Sequence, residues 1–281
     1  MNETPLQIQD EEILTKKEEE IKYILNSIEQ IIPHHGTFIA LIYNPISGGG
    51  EILPSDSISI SAFLEGLQVD KATTLLHGPG GDFTEALLIA LLFRKKFTKY
   101  KTLVSSVCGS SLNLIALKSD GLIRLKDSTI TQIDPCFVYE EEIYRAIEHL
   151  RDDNQAIKDK ANEVFHYAKD QLIALIKEKP SLFDHEKVDF EFFDWENIVE
   201  LMMQQERHDS EVKSSEIHLI PFKLEFTDDA ELKNNCEKLI QKVTDYLIVT
   251  GRRFFIGTTQ TIEINKHNPQ ITEKGNLLFC P

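Results

Sequence analysis

The sequence predicts an α/β protein built on a mostly parallel sheet, because the same short series recurs along its first half. Compact apolar runs of strand length stand at Thr37–Tyr43, Ala72–Leu76 and Thr102–Val107. The second and third end in turns rich in glycine or serine, and a stretch of helical spacing follows each turn. Strand, sharp turn and helix in repetition is the pattern of parallel strands joined by crossover helices.

Taken in order, residues 7–32 place Ile13, Ile21, Ile24, Leu25, Ile28, Ile31 and Ile32 at helical spacing among Glu and Lys, and Pro33 stops the helix. This amphipathic helix is expected to dock on the core or on another subunit. After the first strand, Asn44-Pro45 and Gly48-Gly49-Gly50 break the chain. The glycines lack the GK[ST] ending of a phosphate loop, so a surface loop is expected. Ser57–Leu67 reads as a short helix, and the second strand ends at His77-Gly78-Pro79-Gly80-Gly81. A helix with Phe83, Leu87, Leu88, Leu91 and Leu92 on its apolar face follows at once. The third strand ends at Gly109-Ser110-Ser111, with a helix over Ser111–Lys118 and a short strand over Gly121–Leu125.

Beyond this point Glu140–Lys179 reads as charged helix, and Glu186–Gln205 as helix in its second half. His218–Phe226 alternates like a strand, and Glu231–Val249 reads as a helix closed by Gly251. Phe254–Asn265 reads as a pair of strands. The polar stretch Gln204–Glu216 marks a hinge. The expected organisation is an N-terminal helix over 1–35, a core over 36–203 and an α+β C-terminal extension over 204–281.

Composition narrows the function classes. The formal net charge is −16, from 46 acidic and 30 basic side chains. A surface that tracks nucleic-acid phosphates concentrates Lys and Arg instead. The basic run Arg94-Lys95-Lys96 is short and fits a solvated helix end. The longest apolar stretch, Ala86–Phe93, falls well short of the ~20 residues a membrane span needs. No cationic segment with an apolar run opens the chain, and the four cysteines (Cys108, Cys136, Cys236, Cys280) have neither paired nor zinc-ligand spacing. A cytoplasmic protein without metal or cofactor is expected.

Two turns carry the chemistry. Both lie beyond the carboxyl ends of predicted parallel strands, where open α/β sheets hold ligands. At Gly80-Gly81 the missing β-carbons let backbone N–H groups approach another molecule, next to a helix N-terminus. Such a turn suits a developing oxyanion. At Gly109-Ser110-Ser111 a hydroxyl stands between strand and helix, with the next N–H as a second donor. From the residues alone, this pair fits an acyl-transfer site and fits equally a tight turn beside a helix cap.

The run Leu75-Leu76-His77-Gly78-Pro79-Gly80-Gly81, then Val104–Asp120 (VSSVCGSSLNLIALKSD), then Gln132-Ile133-Asp134-Pro135 resembles the serine dehydrogenase proteinase family. That family belongs to the signal-peptide-peptidase and Clp-protease-like (ClpP/crotonase) superfamily. Its members carry an LHTPGG-like segment, a nucleophile turn S-[AG]-G-T-L-I-A-L and a G-P-[IV]-D-P segment in this order. The resemblance covers roughly residues 37–180. It implies a ClpP/crotonase-like core, a peptide or protein substrate and a homo-oligomer. It also implies Ser110 as nucleophile, with the Gly81 and Ser111 amides as oxyanion donors and Gly80 shaping the turn. Asp134 and Pro135 fall where Clp-type proteases carry the catalytic His, and no His stands there. The resemblance therefore points to a Ser-Lys dyad with Lys169 as base. Lys158, Lys160 and His166 are the neighbouring alternatives.

The chain also departs from the family. Ser111-Leu112-Asn113 replaces small-Gly-Thr, so Leu112 is expected to narrow the pocket. Gly78 replaces a threonine, and Thr131-Gln132 stands in place of Gly-Pro. Three functions follow as expectations: a serine peptidase, a catalytically inactive assembly or binding protein of the same fold, or a crotonase-like enzyme acting on acyl-CoA thioesters. His77 reads as a structural histidine, Cys108 as a core residue, and Gly251-Arg252-Arg253 as a surface turn rather than an anion site.

Overall fold

A computed structural model describes residues 5–32, 36–44, 50–140, 142–178, 196, 199, 202–203, 224–259 and 278–280. The α/β class and the mostly parallel sheet are as expected. The elements in chain order are α1 (Pro5–Ile31), β1 (Thr37–Tyr43), α2 (Asp56–Gly66), β2 (Lys71–Gly78), α3 (Phe83–Lys96) and β3 (Lys99–Cys108). A 3-10 turn over Ser110–Leu112 leads into α4 (Asn113–Leu117), β4 (Leu122–Leu125) and β5 (Thr129–Ile130). Then come β6 (Cys136–Tyr139), β7 (Glu142–Arg145), α5 (Gln155–Lys177), β8 (Leu224–Thr227), α6 (Ala230–Thr250), β9 (Phe254–Thr258) and β10 (Leu278–Cys280).

Among the described residues one sheet runs β10-β9-β1-β2-β3-β4-β8, and β5 pairs with the end of β3. The pairs from β1 to β8 are parallel, whereas β9 and β10 close the other edge antiparallel. Strands β1 to β4 lie side by side in chain order. Crossovers of one hand then put α2, α3 and α4 on the same face. Alternation along β1 follows from this. Ile39, Leu41 and Tyr43 pack with the α2–α5 layer, while Phe38, Ala40 and Ile42 pack with α1 and α6. With both faces covered, all seven residues of β1 are buried, which explains an unbroken apolar run rather than an alternating one.

Helix α1 docks within the chain. Its stripe Ile21, Leu25 and Ile28 is fully buried in the core it shares with Leu239, Val243 and Leu247 of α6. The Tyr246 hydroxyl donates to Glu18 (2.8 Å) and Lys242 pairs with Glu20 (2.6 Å). Residues 224–258 contribute β8, α6 and β9 to this same sheet and its cover.

The stretch read as continuous helix from Glu140 differs. Cys136–Tyr139 and Glu142–Arg145 pair antiparallel as β6 and β7, and α5 begins only at Gln155. Stacking of Phe137 on Tyr144 across the hairpin (ring centroids 5.6 Å) outweighs the helical look of the surrounding charges. The 218–223 part of the predicted strand, the Gln204–Glu216 hinge, the second strand of Phe254–Asn265, the bulk of Glu186–Gln205 and Gly48-Gly49 lie outside the described residues. Gly251 closes α6 in the left-handed conformation (φ 65°), as expected. Of the basic run, Arg94 pairs with Asp120 at 2.9 Å and Lys96 donates to the Leu67 carbonyl.

His77 on β2 is buried, and among the described residues neither ring nitrogen has a hydrogen-bond partner. Burial alone pulls its pKa down to about 4. In the unfolded chain the imidazole takes a proton near pH 6.5, which the folded chain refuses until about pH 4. Stability is therefore lost as pH falls through that window. Between pH 7 and pH 5, the wild type should lose about 2 kcal/mol more than His77→Leu in urea unfolding. Equal losses in the two proteins would contradict this.

Candidate active site

The turn after β2 and the turn after β3 lock into one another because three β-carbons are missing. A β-carbon on Gly109 would lie 2.5 Å from the Pro79 carbonyl oxygen. One on Gly80 would lie 2.6 Å from the Gly109 oxygen and 2.7 Å from the Ser110 β-carbon. One on Gly81 would meet the Ile52 backbone at 2.4 Å. Gly80 and Gly81 also take φ values of 97° and 144°, which side-chain-bearing residues rarely adopt. The Gly109 N–H donates to the Gly78 carbonyl (2.9 Å), and the Ser111 hydroxyl donates to the Gly81 carbonyl (2.9 Å).

Ile52 fixes the outer side of the first turn. It donates to the Gly80 carbonyl (2.7 Å) and accepts from the Asp82 N–H (2.8 Å), as a parallel strand partner of Gly81. In that pairing the central residue's own N–H and C=O turn away from the partner. The Gly81 carbonyl does so and meets Ser111, and among the described residues the Gly81 N–H has no backbone acceptor. Asp82 then caps α3 by accepting from the Glu85 N–H (2.7 Å).

Ser110 sits at φ 44°, a left-handed conformation uncommon for a residue with a side chain and concentrated at functional sites. Its own N–H is taken by the Thr131 hydroxyl (2.8 Å), and the Asn113 amide donates to the Thr131 carbonyl (2.6 Å). Among the described residues the Ser111 N–H has no backbone acceptor. The two serines thus differ in kind. Ser111 spends its hydroxyl tying the turns together, while no hydrogen bond among the described residues reaches the Ser110 Oγ.

The candidate bases lie on α5. Lys169 is half-buried, and its ammonium pairs with Glu196 at 3.3 Å. Lys160 pairs with Glu163 on the surface (2.9 Å), Lys158 is half-buried, and His166 is exposed with its ring edge-on to Phe165. Helix α5 leans on the start of α3 through Tyr167, whose ring meets Phe83 edge to face at 6.3 Å. Gly80, Gly81, Ser110 and Ser111 are therefore brought together, and Lys169 lies on α5, where its ammonium meets Glu196.

Leu112 does not narrow the pocket. It is fully buried in the core between the sheet and α2–α5. Cys108 is likewise in that core, where burial holds its thiol well above the ordinary range. Asp134 is buried and pairs with Arg145 of β7. Arg253 grips the buried carboxylate of Asp56 with two nitrogens (2.5 and 3.3 Å) and donates to the Glu51 carbonyl. Sequence reasoning missed Thr131 and Ile52, which hold the two turns from outside. Neither has a local signal, since each acts by pairing with residues 18 or more positions away.

No protein-family model matches the chain, and no curated protein matches it by sequence. Among solved structures, it is similar to a serine-to-alanine mutant of the membrane-bound stomatin-specific protease 1510-N. The identity is 13%, the TM-score is 0.43, and the match covers 69% of this chain and 80% of that one. It is also similar to a mutant of ClpP1 from Listeria monocytogenes, at 14% identity and a TM-score of 0.42, over 69% of this chain and 94% of that one. Among the described residues no helix is long and apolar enough to cross a membrane, and no group of His, Cys, Asp and Glu is placed to hold a metal ion.

The interlock makes a direct prediction. Gly80→Ala should cost about 2–4 kcal/mol in urea unfolding, from overlap with backbone and from the left-handed φ. Gly66→Ala, at a site with nothing within 4 Å, should change stability by less than about 0.5 kcal/mol. A Gly80→Ala protein as stable as the Gly66→Ala control would mean the turns are not in contact.

Proposed function

We propose that the chain is a serine hydrolase acting on peptides through an acyl-enzyme at Ser110. One observation carries the reading: of the two serines in the turn, Ser110 alone keeps an uncommitted hydroxyl, in a left-handed conformation, beside the Gly81 and Ser111 amides. In the proposed reaction the Ser110 Oγ attacks the acyl carbon. The oxygen that gains charge receives the Gly81 and Ser111 N–H groups, a pair of fixed dipoles that need no reorganisation. The C–N bond breaks, the amine leaves with a proton, and water then opens the ester.

Lys169 is the proposed base. A lysine serves as base only when neutral. Its contact with Glu196 has therefore to be exchanged for one with Ser110 when substrate enters. Lys160, paired with Glu163, and the exposed His166 are less suited. A second reading, an assembly or binding protein with no turnover, is favoured by a single fact: the ammonium of Lys169, the proposed base, is engaged by Glu196.

A fluorophosphonate probe separates the two. The hydrolase reading expects stoichiometric labelling at Ser110, lost in Ser110→Ala with an unchanged circular dichroism spectrum. Lys169→Met should slow labelling by about 10²-fold or more, the usual weight of a general base. A folded wild type that never labels would support the binding protein instead. Labelling unaffected by Lys169→Met would remove Lys169 from its role.

A further inference from the structure

Helices α2 and α3 are apolar around more of their circumference than one core requires. Ile60, Phe63 and Leu64 of α2, and Ala86, Ile89, Ala90 and Phe93 of α3, face inward and are buried. Yet the outward side is apolar too: Ile58 is 71% exposed, Leu88 46% and Leu91 45%. Together with Ala62, Leu92 and the small polar Ser57 and Ser61 of α2 they line a groove of about 540 Å³ between the two helices, ending at Glu65 and Lys95. A helix apolar on both sides is normally covered on both, and a contiguous exposed patch marks an interaction surface.

The geometry of the groove specifies its occupant. Both helices connect parallel neighbours, so they run in the same direction. They are also level. The Ser57 N–H donates to Glu85 at their starts (2.6 Å), and Lys96 donates to the Leu67 carbonyl at their ends. An offset of about thirty residues therefore sets Ile58 level with Leu88, Ala62 with Leu91 and Leu92, and Glu65 with Lys95. Each helix offers the same i, i+3, i+4, i+7 stripe, one closing on an acid and the other on a base.

We propose that this groove is the interface of a homodimer, formed around a two-fold axis parallel to α2 and α3. That rotation lays α2 of one copy over α3 of the other. It sets Ile58 against the partner's Leu88 and Glu65 against the partner's Lys95, and the same contacts recur on the other side of the axis. A surface that pairs with itself in this way is what a closed two-fold contact demands. The stripe carries one charge of each sign, which lets two chains of net charge −16 meet there without local repulsion. Helices of 11 and 14 residues side by side present a face roughly 20 Å on an edge, well under the ~800 Å² per partner of a standard interface. The dimer is accordingly a weak, reversible one. The inference is independent of the hydrolase reading, since the groove's charged end lies at the opposite end of α3 from Gly81.

Sedimentation velocity of the full chain from about 1 to 300 µM, at near-physiological salt, tests it. The wild type should shift from monomer to dimer within this range, and Leu88→Asp should stay monomeric. Glu65→Lys alone and Lys95→Glu alone should each weaken association about tenfold or more, because both contacts become like-charge. The double exchange Glu65→Lys with Lys95→Glu should restore it to within about threefold, which no heterologous partner or distant interface would produce. Circular dichroism of each variant checks the fold. A wild type monomeric throughout would overturn the proposal, as would Leu88→Asp associating like the wild type, or a double exchange as weak as the single ones.

Discussion

Where β2 and β3 end, the backbone of one turn occupies the space that side chains of the other would fill. Pro79 lies against Gly109, and Gly80 lies against Gly109, Ser110 and Ser111, so neither turn keeps its shape without the other. Parallel strands alone do not enforce this, because their ladder ends at Gly78 and Cys108. The hydrogen bonds from Gly109 to Gly78 and from Ser111 to Gly81 extend the pairing past the last ladder residues. What results is a rigid junction in which, among the described residues, the Gly81 and Ser111 amides have no backbone acceptor and no hydrogen bond reaches the Ser110 hydroxyl. Preorganised donors of this kind are effective because their orientation is settled during folding.

The strands and turns were legible wherever local pattern and tertiary role agree. Thr37–Tyr43 reads as a buried strand and is one to the residue, because an element covered on both faces leaves no alternation to confuse it. The Ser57–Leu67 and Glu231–Val249 helices agree with the structure to within a residue or so. Residues 140–154 were illegible for the opposite reason. Charged residues suit a solvated helix and a solvated hairpin equally, and Phe137 and Tyr144, which stack across the hairpin, are seven residues apart, a spacing that one helix face would share. At the site, the glycines and serines announced themselves by type and order. Thr131 and Ile52 did not, since a threonine hydroxyl and an isoleucine backbone look the same wherever they stand. Leu112 misled because its side chain was imagined on the pocket side, whereas the turn aims it into the core.

Charge inside this protein is handled by pairing. Asp56 is buried at the start of α2 and holds Arg253, the Leu53 N–H and the Tyr43 hydroxyl around one carboxylate. Removing one side of such a pair leaves a buried charge, which costs more than the pair contributes. Arg253 thus ties the start of β9 to the first crossover helix. His77 meets the same constraint by staying neutral, and its acid sensitivity follows.

Strand β9 lies against β1, although more than two hundred residues separate Tyr43 from its partner Phe254. Until that late segment leaves the ribosome, one long edge of the most apolar strand offers bare amide and carbonyl groups to any neighbour. Parallel partners can assemble beside it early, yet the sheet stays open on this flank for most of translation. A nascent chain of this design has reason to recruit a chaperone, and truncation before residue 254 would leave an edge ready for intermolecular pairing.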